Sequence, residues 1–361
     1  MLTAKPRFPI REILIFGFLP SFLKIWIYRW RGYCVGRKVR IGFGSVICAR
    51  KVVIGDRVSI GFLTIVRGQS IRLGSHVTVG SLCFMDTPHI DIGEETKINE
   101  QVFIGGLQFP DSKLIVGRNC QIMQMTFINP TRSIIIGDDT GIGGDCLIFG
   151  HSSWLSRFEG YPVDFEPIRI GNSVSLAWRV FVLPGVDIGD GAVIGANSLV
   201  NRTIPPRCLA VGFPARVVAK SPQFPSLVSL EQKKVIFKEI VEGLCAFLEG
   251  SEIPCEWTQE HLITVHQRVG RHWFSKNRIW NLWVAVNPMV RQKLNELPQG
   301  LDAVLSLQRL PDDLRAEWNR ARIVWIDIEA KERADFENDL ADEVIQFFRR
   351  YGVRFDRIKP K

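Results

Sequence analysis

An apolar residue recurs every six positions between Val35 and Val200, and this period limits the possible folds more than any other feature of the chain. An amphipathic helix repeats at 3.6 residues and a half-buried strand at 2, so neither accounts for it. The repeat comprises eight groups of three positions, all of them Val, Ile, Leu or Met: Val35, Ile41, Ile47, Ile54, Ile60, Val66, Leu73, Val79, Met85, Ile92, Ile98, Ile104, Val116, Ile122, Ile128, Ile136, Ile142, Ile148, Ile170, Leu176, Val182, Ile188, Ile194 and Val200. A fixed short period is typical of a solenoid. We therefore predict a mainly β fold, a parallel β-helix of about eight coils with three strands in each coil.

The repeat also suggests how each coil turns. Gly follows 14 of the 24 apolar positions. Because Gly adopts positive φ without strain, we expect Gly or Asn beside the apolar residue to allow the turn. We expect the apolar side chains to point inward and adjacent coils to stack about 4.8 Å apart.

The spacing departs from six at only one step of each coil. The step from the third position of a group to the next group is 7, 7, 7, 12, 8, 22 and 6 residues. Every insertion therefore leaves from the same edge of the triangular prism. Insertions without a role would scatter over three edges, whereas loops gathered on one edge of a rigid scaffold are where function is expected.

Within residues 1–33, the stretch from Phe8 to Trp30 is rich in apolar and aromatic residues and is interrupted by Arg11, Glu12, Pro20 and Lys24. These charges and the proline argue against a helix that spans a membrane, and no small-residue cleavage site marks a signal peptide. We expect an amphipathic helical segment. It either lies on a membrane surface or plugs the first coil or packs between subunits, and the first role does not exclude the others.

The repeat ends near Lys220, so the sequence predicts a β-helix domain over residues 34–220 and a linker at 221–225. Residues 226–361 are expected to form a small α/β domain of unknown role. Ser229 and Gln232 predict a capping box ahead of a helix to about Phe247. Further elements are predicted as strands at 278–286, 302–307 and 322–328, and as a last helix at about 335–350.

The composition of the chain limits the compartment, metals and partners that we expect. The eight cysteines show no CxxC spacing, and Cys83, Cys120 and Cys146 occupy a small-residue position of the repeat. We expect buried, reduced thiols in a cytoplasmic protein. The six histidines are scattered, so we expect no metal, and with a moderate net charge of +9 we expect no nucleic-acid partner.

The longest insertion begins with Phe149-Gly150-His151-Ser152 and holds the sharpest chemical signal. An imidazole at the root of a long loop, on the edge where the loops gather, suits a general base near pH 7. A lone histidine is more often structural than catalytic. The case for a catalytic role therefore depends on the position of His151 in the repeat, on the edge that carries the insertions.

The stretches from Ile170 to Pro206 and from Val211 to Val218 resemble the end of hexapeptide-repeat O-acetyltransferases. The likeness is to galactoside and maltose acetyltransferases and to the sugar O-acetyltransferases of polysaccharide synthesis. Those enzymes carry a Gly-His ahead of a long loop, at the spacing from His151 to Ser175. The resemblance is strong over about 130–220, weaker over 35–130 and absent beyond 220. It implies a left-handed β-helix, a homotrimer, and transfer of acetyl from acetyl-CoA to a carbohydrate hydroxyl.

The resemblance also implies site residues. His151 matches the family's catalytic base, and the donor lies between neighbouring subunits of the trimer. Arg216 matches a basic residue near the nucleotide phosphates, where an Arg fork suits anions. The positions that match contacts to the donor are Ala177, Trp178, Ala196, Asn201 and Arg202. Solvated surface charge is the plainer explanation for the two arginines.

This sequence departs from the family at Ser175, where Trp is usual, and at Trp178, where a small residue is usual. A bulky Trp178 narrows the acyl site or changes how the oxyanion is held. No carboxylate in the long loop matches an orienting partner for His151, so that partner is left open.

The acceptor site is expected on the same edge. Asn129 should lie near Phe149, one coil earlier, and Asp86 three coils below. We expect both to contact the acceptor, although the turn chemistry of Asn129-Pro130 explains that pair equally well.

These observations predict an acetyl-CoA-dependent O-acetyltransferase of polysaccharide or glycolipid synthesis, cytoplasmic and at the inner membrane surface. One alternative is an N-acyltransferase on an amino-sugar nucleotide; such enzymes often carry a Rossmann-like domain before the repeats, and none precedes Val35 here. A γ-type carbonic anhydrase needs three zinc-binding histidines, and His76, His89 and His151 are unsuitably spaced. A non-catalytic β-helix scaffold is the remaining alternative.

Overall fold

The computed structural model describes residues 8–258, 261–269, 276–286 and 300–359. The chain divides into two compact units, residues 1–227 and residues 228–361.

The first unit is a three-sided parallel β-helix, and its strands give the three faces in rotation. The first face comprises β1 (Cys34–Val35), β4 (Lys51–Ile54), β7 (Ser70–Leu73), β10 (His89–Ile92), β13 (Lys113–Val116), β16 (Ile134–Ile136), β19 (Ile168–Ile170) and β22 (Asp187–Ile188). The second face comprises β2 (Arg40–Ile41), β5 (Ser59–Ile60), β8 (Thr78–Val79), β11 (Lys97–Ile98), β14 (Gln121–Ile122), β17 (Gly141–Ile142), β20 (Ser175–Leu176), β23 (Val193–Ile194), β25 (Cys208–Val211) and the antiparallel β26 (Arg216–Lys220). The third face comprises β3 (Val46–Cys48), β6 (Ile65–Arg67), β9 (Phe84–Asp86), β12 (Phe103–Gly105), β15 (Phe127–Asn129), β18 (Leu147–Phe149), β21 (Phe181–Val182) and β24 (Leu199–Val200).

The apolar repeat positions stack directly on one another from coil to coil. Ile54 pairs with Leu73 on the first face, and Ile60 pairs with Val79 on the second. All the repeat positions are buried except Val35, which is half-buried in the first coil. The predicted fold class, a mainly β chain built on a parallel β-helix of about eight coils, is confirmed. The bonds formed by β25 continue the second face past the eighth coil.

The predicted explanation of the repeat glycines is wrong. Gly55 does not have positive φ; instead, a Cβ placed on it would lie 2.5 Å from the backbone nitrogen of Ser75 in the next coil. Gly80 is similar, with Asn99 backbone 2.6 Å away. Glycine is therefore required by the close approach of neighbouring coils. Positive φ occurs three residues after the apolar position, at residues that are mostly not glycine: Lys38, Arg57, Leu63, His76, Leu82, Glu95, Gln101, Asn119, Met125, Asp139, Asp145, Ser173, Arg179 and Asn197.

All the long insertions join the third face to the first face of the next coil, as the spacing predicts. They are the segments 106–112, 130–133 and 150–167, and we call the edge that carries them the loop edge. The last of them contains a short 3-10 helix at Arg157–Glu159.

The N-terminal segment caps the first coil. It consists of a short helix, α1 (Ile10–Glu12), one π-helical turn at Ile13–Gly17, and α2 (Ser21–Trp30). Lys24 of α2 is fully buried over the open end of the coil, where its Nζ donates to the carbonyls of Gly42 and Ser45. The expected plug is therefore present. None of the helices in the described ranges combines the length and hydrophobicity needed to cross a membrane.

In its described residues, the second unit contains a seven-stranded mixed sheet and three helices. The strands, in sheet order, are β27 (Cys255–Thr258), β28 (Leu262–Val269), β29 (Lys276–Ala285), β30 (Ala303–Ser306), β31 (Val324–Asp327), β32 (Glu332–Ala334) and β33 (Asp356–Ile358). The helices are α3 (Leu230–Gly250), α4 (Asp312–Ala321) and α5 (Asp339–Arg349). The capping box of Ser229 and Gln232 is present at the start of α3. In the core, Arg315 pairs with the fully buried Asp327 and with Glu332.

Candidate active site

His151 lies on the loop edge, two residues beyond the end of β18. The strand holds its last residue, Phe149, in register with Asn129 of β15, and the backbone N–H of Gly150 donates to the Asn129 carbonyl at 2.9 Å. A Cβ on Gly150 would lie 3.0 Å from the backbone nitrogen of Arg132. The lack of a side chain at Gly150 therefore lets the 130–133 loop pass close beside the histidine.

The Nδ1 atom of His151 has a hydroxyl partner from the preceding coil. Thr131 Oγ1 lies 3.3 Å from Nδ1, and the same hydroxyl donates to Oδ1 of Asn129 at 2.7 Å. Thr131 has one hydroxyl hydrogen, so its oxygen is left to accept from His151. This arrangement requires the tautomer with the proton on Nδ1, and it leaves the lone pair on Nε2.

Two phenylalanines surround the imidazole. The ring of Phe165 is stacked on His151, with centroids 6.0 Å apart and an interplanar angle of 15°. The Phe149 ring centroid lies 6.2 Å away on the strand side. The imidazole is half-buried, and this burial lowers the pKa of His151 below its usual value because it disfavours the charged form. The histidine is therefore neutral at pH 7, as a general base must be.

The loops from three successive coils meet beside His151. Arg132 Nη1 donates to Asp111 Oδ1 at 2.7 Å, and the guanidinium lies 4.5 Å above the centre of the Phe109 ring. Phe109 in turn contacts Phe165 edge to face, with centroids 5.5 Å apart. Arg132 and the two rings therefore form one wall of the site.

The long loop is held closed by a pair of backbone hydrogen bonds between Ser152 and Asp164, each 2.8 Å. The partner of His151 that the sequence left open is Thr131 of the preceding loop. Sequence reasoning missed this threonine because it searched the loop that carries His151 and not the loop stacked below it. The signal was the Asn129-Pro130-Thr131 turn at the same step of the preceding coil.

The structure brings Asn129 to His151 and leaves Asp86 at a distance. Asn129 is buried and acts through Thr131. Asp86 lies two strands further down the third face, about 10 Å from the Asn129 strand at ordinary strand spacing. Its carboxylate accepts from Gln108 Nε2 at 3.1 Å and lies 3.9 Å from Arg67. A role for Asp86 in binding the acceptor stays a prediction.

The candidate donor residues occupy two edges of the last coils. Ala177, Trp178 and Ala196 follow β20 and β23, at the edge between the second and third faces. Asn201 and Arg202 follow β24 on the loop edge, two coils beyond His151. Within one protomer the third face therefore separates the first group from His151.

Trp178 is half-exposed, and its position depends on glycines of the preceding coil. A Cβ on Gly144 would lie 2.5 Å from the Trp178 ring, so the indole lies flush on the Gly144 backbone. Arg216 belongs to β26 and is exposed, with Nη1 donating to the Ala215 carbonyl at 3.0 Å. No group of His, Cys, Asp and Glu side chains suited to a metal occurs in the part of the chain that the structure describes.

Two proteins named as acetyltransferases are similar to this chain in sequence. Escherichia coli galactoside O-acetyltransferase is 37% identical over 117 residues, which is 30% of this chain and 54% of that protein. A Schizosaccharomyces pombe protein named as an acetyltransferase is 34% identical over 109 residues, 30% of this chain and 50% of that protein. The chain is therefore similar to named acetyltransferases over about 30% of its length. It spans about half the length of these two acetyltransferases.

Among solved structures, the polysialic-acid-specific acetyltransferase NeuO is similar to the chain over 55% of this chain and 93% of its own, with 19% identity and a TM-score of 0.39. No family model matches the chain.

Proposed function

We propose that this protein is an acetyl-CoA-dependent O-acetyltransferase that modifies a carbohydrate hydroxyl, with His151 as the general base. The observation that carries the proposal is the state of the imidazole. Burial keeps it neutral, Thr131 binds Nδ1, and Nε2 has no hydrogen-bond partner among the described residues. A neutral imidazole with an available Nε2 can accept the proton of an alcohol.

The reaction follows from this arrangement. Nε2 removes the hydroxyl proton of the acceptor as its oxygen attacks the thioester carbonyl, and backbone N–H groups stabilise the oxyanion. The tetrahedral intermediate then collapses, the carbon–sulfur bond breaks, and the imidazolium returns the proton to the CoA thiolate. The Asn129–Thr131–His151 chain holds the ring in one tautomer throughout.

The donor is proposed to bind on the last coils, where the six candidate residues lie. Arg202 and Arg216 are exposed and suit the phosphates of the nucleotide. Trp178 and Ala196 lie on the neighbouring edge, so a donor that contacts both edges and reaches His151 must span two protomers. This argument supports the proposed homotrimer, in which one protomer presents His151 and its neighbour presents Trp178.

The acceptor is proposed to be a carbohydrate of polysaccharide or glycolipid synthesis, bound against the wall formed by Phe109, Arg132 and Phe165. Support comes from a relative that is named a galactoside O-acetyltransferase. Aromatic rings beside a charged group are a suitable surface for a sugar, which has an apolar face and polar edges. We propose that the reaction takes place in the cytoplasm, at the inner membrane surface.

The test is His151→Ala against the matched control His89→Ala, which changes an exposed histidine of β10 on the first face. Release of free CoA thiol from acetyl-CoA is measured with a panel of mono- and oligosaccharides. Loss of a general base should lower turnover at least about 10²-fold, while His89→Ala should not change it. Wild-type turnover by both variants would contradict His151 as the general base, and the absence of turnover with every acceptor, even for the wild type, would leave a scaffold role. An acetylated product that resists hydroxylamine, which cleaves esters but not amides, would favour the N-acyltransferase.

A further inference from the structure

The face of α2 that packs on the β-helix is fixed by specific hydrogen bonds. Lys24 Nζ donates to the Gly42 carbonyl at 2.6 Å, and Tyr28 Oη accepts from the Ile47 backbone at 2.9 Å. Lys24 and Tyr28 are both fully buried. Because these bonds satisfy backbone groups of the open first coil, α2 cannot rotate without leaving them unpaired. The opposite face is therefore held toward solvent.

That opposite face is apolar and aromatic. Phe22, Trp26 and Trp30 are spaced four residues apart, so they form one stripe, and they are 69%, 66% and 80% exposed. The preceding segment adds exposed Leu14 and Ile15. A contiguous exposed apolar surface of this kind marks a site of association.

The part of the chain that contains the stripe is rich in cations. Glu12 and Asp56 are the only acidic residues of the segment 8–57. The same segment contains nine exposed or half-exposed Arg and Lys side chains: Arg11, Arg29, Arg31, Arg37, Lys38, Arg40, Arg50, Lys51 and Arg57. A groove of about 660 Å³ is lined by Phe22 and Trp26 of the stripe together with Arg29 and Lys38, among others. The groove thus combines apolar side chains with two cations.

We propose that the cap surface, defined as Phe22, Trp26, Trp30, Arg29 and Lys38, docks on an anionic lipid bilayer. The aromatic rings would enter the interface between headgroups and acyl chains, where Trp is favoured. The surrounding Arg and Lys side chains would contact lipid phosphates. Charge selects lipid over a second copy of the chain, since pairing the same surface with itself would bring like charges together. The inference supports the proposed location and does not depend on the chemistry of His151.

The experiment uses the full-length chain and two kinds of vesicle, phosphatidylcholine alone and phosphatidylcholine mixed with phosphatidylglycerol. Co-sedimentation is measured at low and high salt. We expect binding to the mixed vesicles, little binding to the neutral ones, and a loss at high salt, since salt screens the charge component.

The decisive variant is Phe22→Ser/Trp26→Ser/Trp30→Ser, which leaves Lys24 and Tyr28 in place. Its matched control, Leu227→Ser/Val235→Ser/Tyr351→Ser, removes three exposed apolar side chains elsewhere. We expect the first variant to bind mixed vesicles at least 10-fold more weakly and the control to bind like the wild type. Equal binding by all three proteins would overturn the proposal, as would a first variant that loses self-association, measured by light scattering, while its lipid binding is unchanged. Turnover of a soluble acceptor reports separately on the acyltransferase proposal and should be the same in all three.

Discussion

The hydroxyl oxygen of Thr131 lies 3.3 Å from Nδ1 of His151, although 20 residues separate the two along the chain. The contact exists because both residues follow strands of the third face at the loop edge, in adjacent coils. A neutral hydroxyl thus occupies the place where many histidine bases have a carboxylate. It fixes the tautomer without adding a negative charge that would raise the pKa of the ring.

Thr131→Val should lower kcat/KM by about 10- to 100-fold, because the ring loses the partner that fixes its tautomer and orientation. The KM for acetyl-CoA should change little, since Thr131 lies away from the candidate donor residues. Steady-state kinetics of the variant and of Thr131→Ser measure the effect. Thr131→Ser keeps the hydroxyl and should recover most of the rate; if it is as slow as the valine variant, the hydrogen bond is not responsible.

The pH profile of kcat/KM should reflect the lowered pKa of His151. The base form is active, so the rate should rise with pH through this pKa and become constant above it. Since burial places the pKa below the usual value of 6.5, the acid limb should lie below pH 6.5. Replacing the stacked ring, in Phe165→Ala, exposes the imidazole and should shift the limb to higher pH. A limb centred above 6.5 in the wild type would count against the assignment.

Gly80→Ala should destabilise the β-helix, since the new Cβ would lie 2.6 Å from backbone atoms of Asn99 and Glu100. Backbone at that distance cannot give way cheaply, so we expect a loss of roughly 2 kcal/mol or more, of the size of other overpacked sites. Leu82→Gly, two residues away at φ 59°, is the matched control. It removes left-handed strain of about 1 kcal/mol along with an exposed side chain, and should leave the free energy of unfolding nearly unchanged. Urea unfolding of both variants decides between the two explanations of the repeat glycines.

Lys24 should make stability depend on alkaline pH. Burial lowers its pKa from 10.5 to about 8, so between these values the unfolded chain binds more protons than the folded one. Stability conferred by Lys24 should therefore rise as pH increases from 8 to 10.5, by up to about 3 kcal/mol. The difference in unfolding free energy between wild type and Lys24→Met isolates this effect from the cysteines and tyrosines. A difference that is constant over this window would mean that Lys24 titrates normally.

Much of this fold could be predicted because every coil repeats the same local rule. An inward Ile or Val, such as Ile60, has the same neighbours whichever coil it belongs to, so its period is visible in the sequence. The site was harder, because His151 and Thr131 meet through loops of different length. The role of Lys24 was also hidden: in the sequence it interrupts an apolar helix, whereas in the structure it is the side chain that binds the helix to the first coil.

The prediction that the repeat glycines allow the turns was wrong for a related reason. Sequence reasoning placed the conformational freedom of glycine in the turn, but Gly55 is required by contact with Ser75 of another coil. Contacts between coils leave no trace in the local sequence except the absence of a side chain. The same is true of Gly144 beneath Trp178.

The number of stacked coils sets the distance between His151 and the N-terminal cap. His151 follows the sixth coil, so five steps of about 4.8 Å, roughly 24 Å, separate it from the capped first coil. Inserting or deleting one whole 18-residue turn would lengthen or shorten that span by a single step while keeping both ends intact. The β-helix thus acts as a rigid spacer whose length changes in fixed increments, and this length sets the distance between the N-terminal cap and His151.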